Sequence, residues 1–309
     1  MHVYRWDLDR TYLDTDIHSV RSMIRAAFET AEDKRNIPGS GALMRGLMAA
    51  DPTSRVSIVS GSPTQLRAVL EQKLALDGVT FDSLTLKDHI GNLRRGRIRA
   101  VYGQLGYKLP ALLEQRQGLG STVRETCFGD DTEVDAVVYA LYAEVVAGRV
   151  DARTMGRVMA RGSAYPDAIG LATDALRKLS HMDIVDDIFI NIDRGVSVHQ
   201  FRLLGPRVIP VFTWFQAALV LYSRGRLDAS GVADVLDATP HTTEHVASWL
   251  QDATRRGLVD ADAMMDLFRQ TEQLAEHAPG VDRALARLGA FQVPQSAEQP
   301  DFLAYLDSL

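Results

Sequence analysis

Asp7 and Asp9, two apart in Asp7-Leu8-Asp9-Arg10-Thr11, are the first residues in this chain whose type and spacing suggest chemistry. They close a run from Val3 to Asp7 that reads as a short strand. Residues two apart on a strand point to the same side, so both carboxylates would project together from its end. Two acids so close ionise together only with a cation between them. Phosphoryl transfer uses such a pair. One carboxylate attacks phosphorus and forms an aspartyl-phosphate. The other protonates the leaving oxygen and later takes a proton from water. Alone, the D-x-D-x-T pattern is more often an acidic loop or a cap.

Three further pieces follow in order. Ser60 ends the apolar run Val56 to Val59, and Gly61-Ser62-Pro63 turns from it into a helix. A hydroxyl and backbone N–H groups at a helix start make an anion site, although Ser62 also suits a plain cap. Lys108 opens the next helix, where an ammonium opposes the helix dipole unless an anion is near. Asp130 and Asp131 close another strand, with Asp135 a helical turn further on. Oxygen ligands from two strand ends suit Mg²⁺, and an acidic helix start with no metal is the alternative.

The elements that must position these groups alternate. Strand-like runs at Val3–Asp7, Val56–Val59, Phe81–Leu86 and Val123–Phe128 are separated by helical spacing. The helical stretches are Ile17 to Phe28, Gly41 to Ala49, Leu66 to Leu74, Lys108 to Gln115 and Thr132 to Val146. This alternation predicts βαβ units and a parallel sheet, with ligands at the carboxyl ends of the strands. Beyond Val150 the periodicity becomes mainly helical, interrupted by Ile188 to Ile192, and Arg161-Gly162, Arg224-Gly225 and Arg256-Gly257 read as helix ends. Two domains are therefore expected, 1–150 and a mainly α-helical 151–309. Phe302, Leu303, Tyr305 and Leu306 can anchor the tail.

Taken together, the motifs resemble those of the haloacid-dehalogenase-like (HAD) phosphatase superfamily: a D-x-D-x-T, a strand-terminal hydroxyl, a lysine, and a G-D followed by another acid. The stretches Ala31-Glu32-Asp33-Lys34-Arg35, Val59-Ser60-Gly61-Ser62-Pro63, Leu84-Thr85-Leu86-Lys87-Asp88 and Phe128-Gly129-Asp130-Asp131 are similar to the catalytic domain of phosphatidate phosphatases of the actin-patch-associated type and to bacterial relatives. The resemblance covers about Met1 to Val150 and implies a Rossmann-like α/β sheet with helices on both faces. It implies Asp7 as nucleophile, Asp9 as general acid/base, and Thr11, Ser60 and Gly61 around the phosphoryl group. Lys108 would neutralise charge, and Mg²⁺ would be held by Asp7 and Asp9 with Asp130 and either Asp131 or Asp135. The implied activity is Mg²⁺-dependent phosphomonoester hydrolysis, on a phosphatidate-like lipid, another large phosphate or a small molecule. A catalytically idle scaffold whose helical half binds a protein is the alternative.

The gaps from Thr11 to Val56 and from Ser60 to Lys108 are too short for a full cap domain, so an open crevice is expected, with the helical half as lid or interaction domain. Arg94, Arg95, Arg97 and Arg99 form a dense basic run, suited to clamping a phosphate, to peripheral contact with an anionic membrane, or to simple solvation.

Composition bounds the rest. The 309 residues are 46% hydrophobic and 24% charged, ordinary for a globular chain, with a formal charge of −6 that disfavours nucleic acid as partner. Cys127 is the single cysteine and the start has no signal-peptide pattern, so a cytoplasmic location is expected. Val208 to Tyr222, the longest apolar stretch, reads as one buried helix, with docking on a membrane surface as the alternative. His241-Thr242-Thr243-Glu244-His245 spells a zinc-protease pattern, here read as two histidines near a helix start, and Asp228 to Val259 reads as part of a helical bundle rather than a DNA-binding pair.

Overall fold

The computed structural model describes residues 1–15, 30–88, 103–132, 134–288 and 299–309. The helix expected over Ile17 to Phe28 and the arginine run 94–99 lie outside them. By contacts the chain divides into two units. One comprises Met1–Arg35, Arg55–Pro210 and Ser296–Leu309, the other Asn36–Ser54 and Val211–Gln295.

The first unit is built on six strands: β1 (His2–Trp6), β2 (Arg55–Pro63), β3 (Ser83–Lys87), β4 (Arg124–Asp130), β5 (Val185–Asn191) and β6 (Val208–Val211). They form one all-parallel sheet in the order β3-β2-β1-β4-β5-β6. The chain works outward from β1 to β3, then returns to β4 on the other side of β1. That reversal leaves a crevice beyond the ends of β1 and β4, where such sheets bind ligands. In register, Trp6 lies opposite Ile58 of β2 and Phe128 of β4.

Both faces of the central strands are buried, and the polar residues they carry, such as His2, Arg5, Glu125 and Thr126, are buried with their partners. On one face Trp6, Phe128 and Phe189 stack in a row, with ring centroids 4.1 and 5.4 Å apart. On the other, Cys127, Ile188 and Ile190 pack in a cluster with the helices Leu105–Gln117 and Asp135–Val146. The tail is anchored here too: Tyr305, in the helix Phe302–Ser308, lies 5.8 Å from the ring of Phe201, and Asp301 N–H donates to the Leu203 carbonyl.

Two elements depart from expectation. Pro63 does not open a helix; its extended backbone ends β2, and the helix Arg67–Leu76 begins after a 3₁₀ turn. The β2–β3 register shifts between Ser60 and Pro63, an irregularity that accommodates a residue with no N–H to give the ladder. Val208 to Tyr222 is not one helix. Its start is β6, and its remainder forms the helix Trp214–Ser223, capped by the Thr213 side chain accepting from Gln216 N–H. Gln216, buried, accepts from Phe212 N–H and donates to the Trp249 carbonyl. The two polar residues inside the apolar run thus mark the change of element. No described helix is long and apolar enough to cross a membrane.

The periodicity switch at Val150 does not mark the contact boundary, which falls after Pro210. β5 and β6 complete the sheet after the helical pair Ala152–Arg161 and Pro166–Leu176. The second unit is helical. It joins Ser40–Ala50 to a series running from Trp214–Ser223 through Ala278–Leu285, around Phe215, Trp249 and Phe268. Asp228, Thr242 and Asp260 cap three of these helices. Gly225 and Gly257 follow helix ends in the left-handed region, whereas after Arg161 it is Ser163 that adopts it.

Beneath the sheet Arg5 Nε lies 2.5 Å from Glu125, Arg116 Nη1 3.1 Å from it, and Tyr142 donates its hydroxyl to it at 2.7 Å, all buried. Burial pushes the Glu125 carboxyl up, but Arg5, Tyr142 and Arg116 outweigh this and hold it below its ordinary value. Its stabilisation is therefore present above the ordinary carboxylate range and is lost as pH falls through the lower folded value. Glu125→Ala would strand two buried guanidinium groups and is expected to cost about 3–5 kcal/mol, read as a lower denaturant midpoint at unchanged slope.

Candidate active site

Asp7 follows β1 directly, and its N–H donates to the Phe128 carbonyl, so β1 and β4 hold it between them. Asp130 is the last residue of β4, and Asp135 the first of the helix Asp135–Val146. Oxygens of Asp7, Asp130 and Asp135 all lie within 4.8 Å of one another, and all three residues are buried. Lys108, in the first turn of the helix Leu105–Gln117 and itself fully buried, donates to Asp7 Oδ1 at 2.7 Å and to Asp135 Oδ1 at 2.5 Å. This is the anion that offsets the unfavourable dipole at that helix start.

Gly129 makes the arrangement sterically feasible. A Cβ there would lie 2.7 Å from Asp135 Cβ and 3.0 Å from the Tyr139 ring. With hydrogen in that place, the helix packs directly on the end of β4. Tyr139 is fully buried, and burial, reinforced by the charge of Asp135, pushes its phenol well above the ordinary value.

Asp9 sits apart from this group. Its Oδ1 accepts from the Thr15 hydroxyl at 2.7 Å, and its Oδ2 from the hydroxyls of Ser60 at 3.1 Å and Ser62 at 2.6 Å. The irregular end of β2 brings both serines to it. Ser60 also accepts from Ser62 N–H. The Gln104 amide lies against Gly61, where a Cβ would approach it to 2.3 Å.

The structure brings some of the expected residues together and places others elsewhere. Asp131 does not join the carboxylate group; it accepts from the backbone N–H groups of Asp193, Arg194 and Val196. Asp135 lies with Asp7 and Asp130 instead, because one helical turn carries it back over the strand end. Asp9 is likewise outside the group of three. Thr11 donates to Asp130 Oδ2 at 3.0 Å, and Asp130 Oδ1 accepts from Thr132 N–H and hydroxyl. Thr15, Ser62 and Thr132 join these groups in space, beyond the residues that the sequence marks. Ser62 had a legible signal, lying two from Ser60 on a strand; Thr15 and Thr132 had none beyond their neighbourhood.

What the site can hold follows from its donors. One ammonium against three carboxylates leaves the group formally anionic, and every ligand atom it offers is oxygen, the donor set of a hard divalent cation. It is the one such group among the described residues. The histidine pattern in the helical unit forms no second: His241 precedes the helix Thr243–Arg255, and packs its ring on His277, while His245 stacks near Trp249.

The all-parallel sheet with its helices is a Rossmann-like α/β fold, and three carboxylates gather at its carboxyl edge. More particularly, residues 6–155 match the family model described as phosphatidate phosphatase APP1, catalytic domain, a little under half of the chain. No curated protein and no solved structure matches the chain.

Cation binding has a direct readout. Added Mg²⁺ is expected to raise the melting temperature of the wild type, by about 2.7 kcal/mol of stability at a hundredfold excess over Kd. Asp130→Asn, Asp135→Asn and Gly129→Ala should each remove that increase, and Asp131→Asn should keep it.

Proposed function

We propose that this chain hydrolyses phosphomonoesters with Mg²⁺ through an aspartyl-phosphate, in the manner its family description suggests. The observation that carries the reading is the buried Asp7–Lys108–Asp135 contact beside Asp130. It gives a carboxylate at the crevice, a fixed positive charge on it and a place for a cation. A bound Mg²⁺ would be held by Asp7, Asp130 and Asp135, and would supply charge neutralisation at the phosphoryl oxygens.

The chain's own residues do the rest. An oxygen of Asp7 attacks phosphorus as the bond to the leaving oxygen breaks. Asp9, protonated at this stage, gives its proton to that oxygen. Water then attacks the aspartyl-phosphate, losing its proton to Asp9, and phosphate leaves with Asp7 regenerated. The hydroxyls of Thr15, Ser60 and Ser62 orient the Asp9 carboxyl for both transfers. Lys108 holds Asp7 in place and balances charge as the phosphoryl group arrives.

The substrate class proposed is a phosphatidate-like lipid, on the family description and on the arginine run 94–99, suited to an anionic surface. A cytoplasmic location goes with it, since a chain with a single cysteine, Cys127, can form no intramolecular disulfide.

The test is hydrolysis of p-nitrophenyl phosphate and of dispersed short-chain phosphatidate, with and without Mg²⁺. Wild type should release phosphate in a Mg²⁺-dependent way, and Asp7→Asn should abolish release. Asp9→Asn should lower kcat by about 10²–10⁴. A wild type inactive on a broad phosphate-ester panel would sink the reading in favour of an idle scaffold.

A further inference from the structure

The turn after β5, Asp193 to Val196, lies beyond the residues that match the family model, yet it is tied to both loops that carry the carboxylates. β5 is parallel to β4, with Asn191 opposite Asp130, so the turn emerges at the same edge of the sheet as Asp7 and Asp130. Asp131 N–H donates to the Asn191 carbonyl, and the buried Asp131 carboxylate accepts from Asp193 N–H at 2.7 Å, Arg194 N–H at 2.9 Å and Val196 N–H at 3.2 Å. Successive N–H groups curled on an anion form a nest, normally a site for a bound anion. Here the chain fills it with its own carboxylate.

Gly195 completes the curl in the left-handed region at φ 77°. A Cβ there would meet nothing within 4 Å, so it is backbone conformation rather than space that calls for glycine.

The second tie comes from the catalytic loop. Arg10, between Asp9 and Thr11, reaches Asp193 with Nε at 3.0 Å and also through Nη2, and pairs with Asp14 at 2.5 Å. Arg10 itself is a non-glycine residue at φ 61°, a conformation that persists where surrounding contacts over-determine it. Its N–H donates to the Leu13 carbonyl, closing the loop. A solvated surface pair alone is worth little. A pair joined through one short turn to three charge-assisted backbone bonds forms a bracket between two loops.

The geometry points to Asp131 and Arg10 as positioning residues that lock the Asp193–Val196 turn to the D-x-D loop as a rim of the crevice, so that the turn bears on the leaving-group side of the phosphate ester. This rests on the phosphatase reading for its substrate. It assigns to Asp131 a role distinct from metal binding, and it gives residues beyond the matched domain a part in the site. Contacts at such a rim act on bound substrate and transition state alike, so their loss appears in KM rather than in kcat.

The test pairs a kinetic readout with hydrogen exchange on the full chain, using Arg10→Ala, Asp131→Ala and Gly195→Ala. Arg10 is partly exposed, so its truncation keeps the experiment interpretable if Asp131→Ala folds poorly. Exchange is expected to quicken in peptides covering both 8–13 and 192–197 in either Arg10→Ala or Asp131→Ala, with the melting transition retained in Arg10→Ala. With p-nitrophenyl phosphate and Mg²⁺, KM should rise about five- to tenfold and kcat stay within about threefold, the scale of one coupling between neighbouring groups. A collapse of kcat in Asp131→Ala matching that of Asp130→Asn would overturn the assignment, since Asp131 would then belong to the metal group. Exchange that quickens only around the substituted residue, or an unchanged KM, would overturn it too. If the wild type hydrolyses nothing, the phosphatase reading fails by itself, and the reciprocal exchange between 8–13 and 192–197 still decides whether the bracket exists.

Discussion

Three carboxylates and one ammonium are buried together at the carboxyl edge of the sheet, and most of the first unit can be understood as what it takes to keep them there. A buried charge is tolerable only with partners at hydrogen-bonding distance. Lys108 must therefore reach two aspartates at once, which requires its helix to start beside the ends of β1 and β4. Asp135 must return over the strand it follows, which requires glycine at 129. Thr11 and Thr132 take up the oxygens of Asp130. Each requirement is local, but they meet only because β1 and β4 are neighbours.

The same edge separates the two aspartates of the D-x-D pair by environment. Asp7 faces a cation and other acids, and Asp9 faces hydroxyls. Two identical side chains two residues apart thereby stand in different surroundings, and the proposed mechanism gives one the attack and the other the proton transfer. The irregular end of β2 does for Asp9 what Gly129 does for Asp135, letting side chains from different elements converge. Below the sheet, a second charged cluster around Glu125 ties β1, β4 and the two helices that carry Lys108 and Asp135. The frame holding the site is thus itself electrostatic as well as apolar.

The units do not follow the order of the chain. The segment Asn36–Ser54, between β1 and β2 in sequence, belongs with the C-terminal helices, while β5, β6 and the tail belong with the sheet. A helix records its amphipathic period in the sequence but not the partner its apolar face will find. Ser40–Ala50 was legible as a helix and illegible as a member of the helical unit. In the same way β5 was legible as a strand, Ile188 to Ile192, but not as the neighbour of β4.

By itself the sequence determined the alternation of elements, the four strands that frame the crevice, and most of the acids, hydroxyls and the lysine at their ends. Those are short-range properties: period two or period 3.6, a polar residue where an apolar run stops. It also carried the D-x-D-x-T pattern with its lysine and G-D. The tertiary structure alone decided which acids meet. Asp131 and Asp135 were equivalent on paper, and a helical turn plus a turn 60 residues away assigned one to the nest and the other to Lys108. It alone decided that Pro63 ends a strand and that Val208 to Tyr222 is two elements, because strand register and buried polar partners are set by residues far away in the chain. The physical reason is common to all of these: periodicity is a property of neighbours in sequence, whereas the satisfaction of a buried charge or amide depends on neighbours in space.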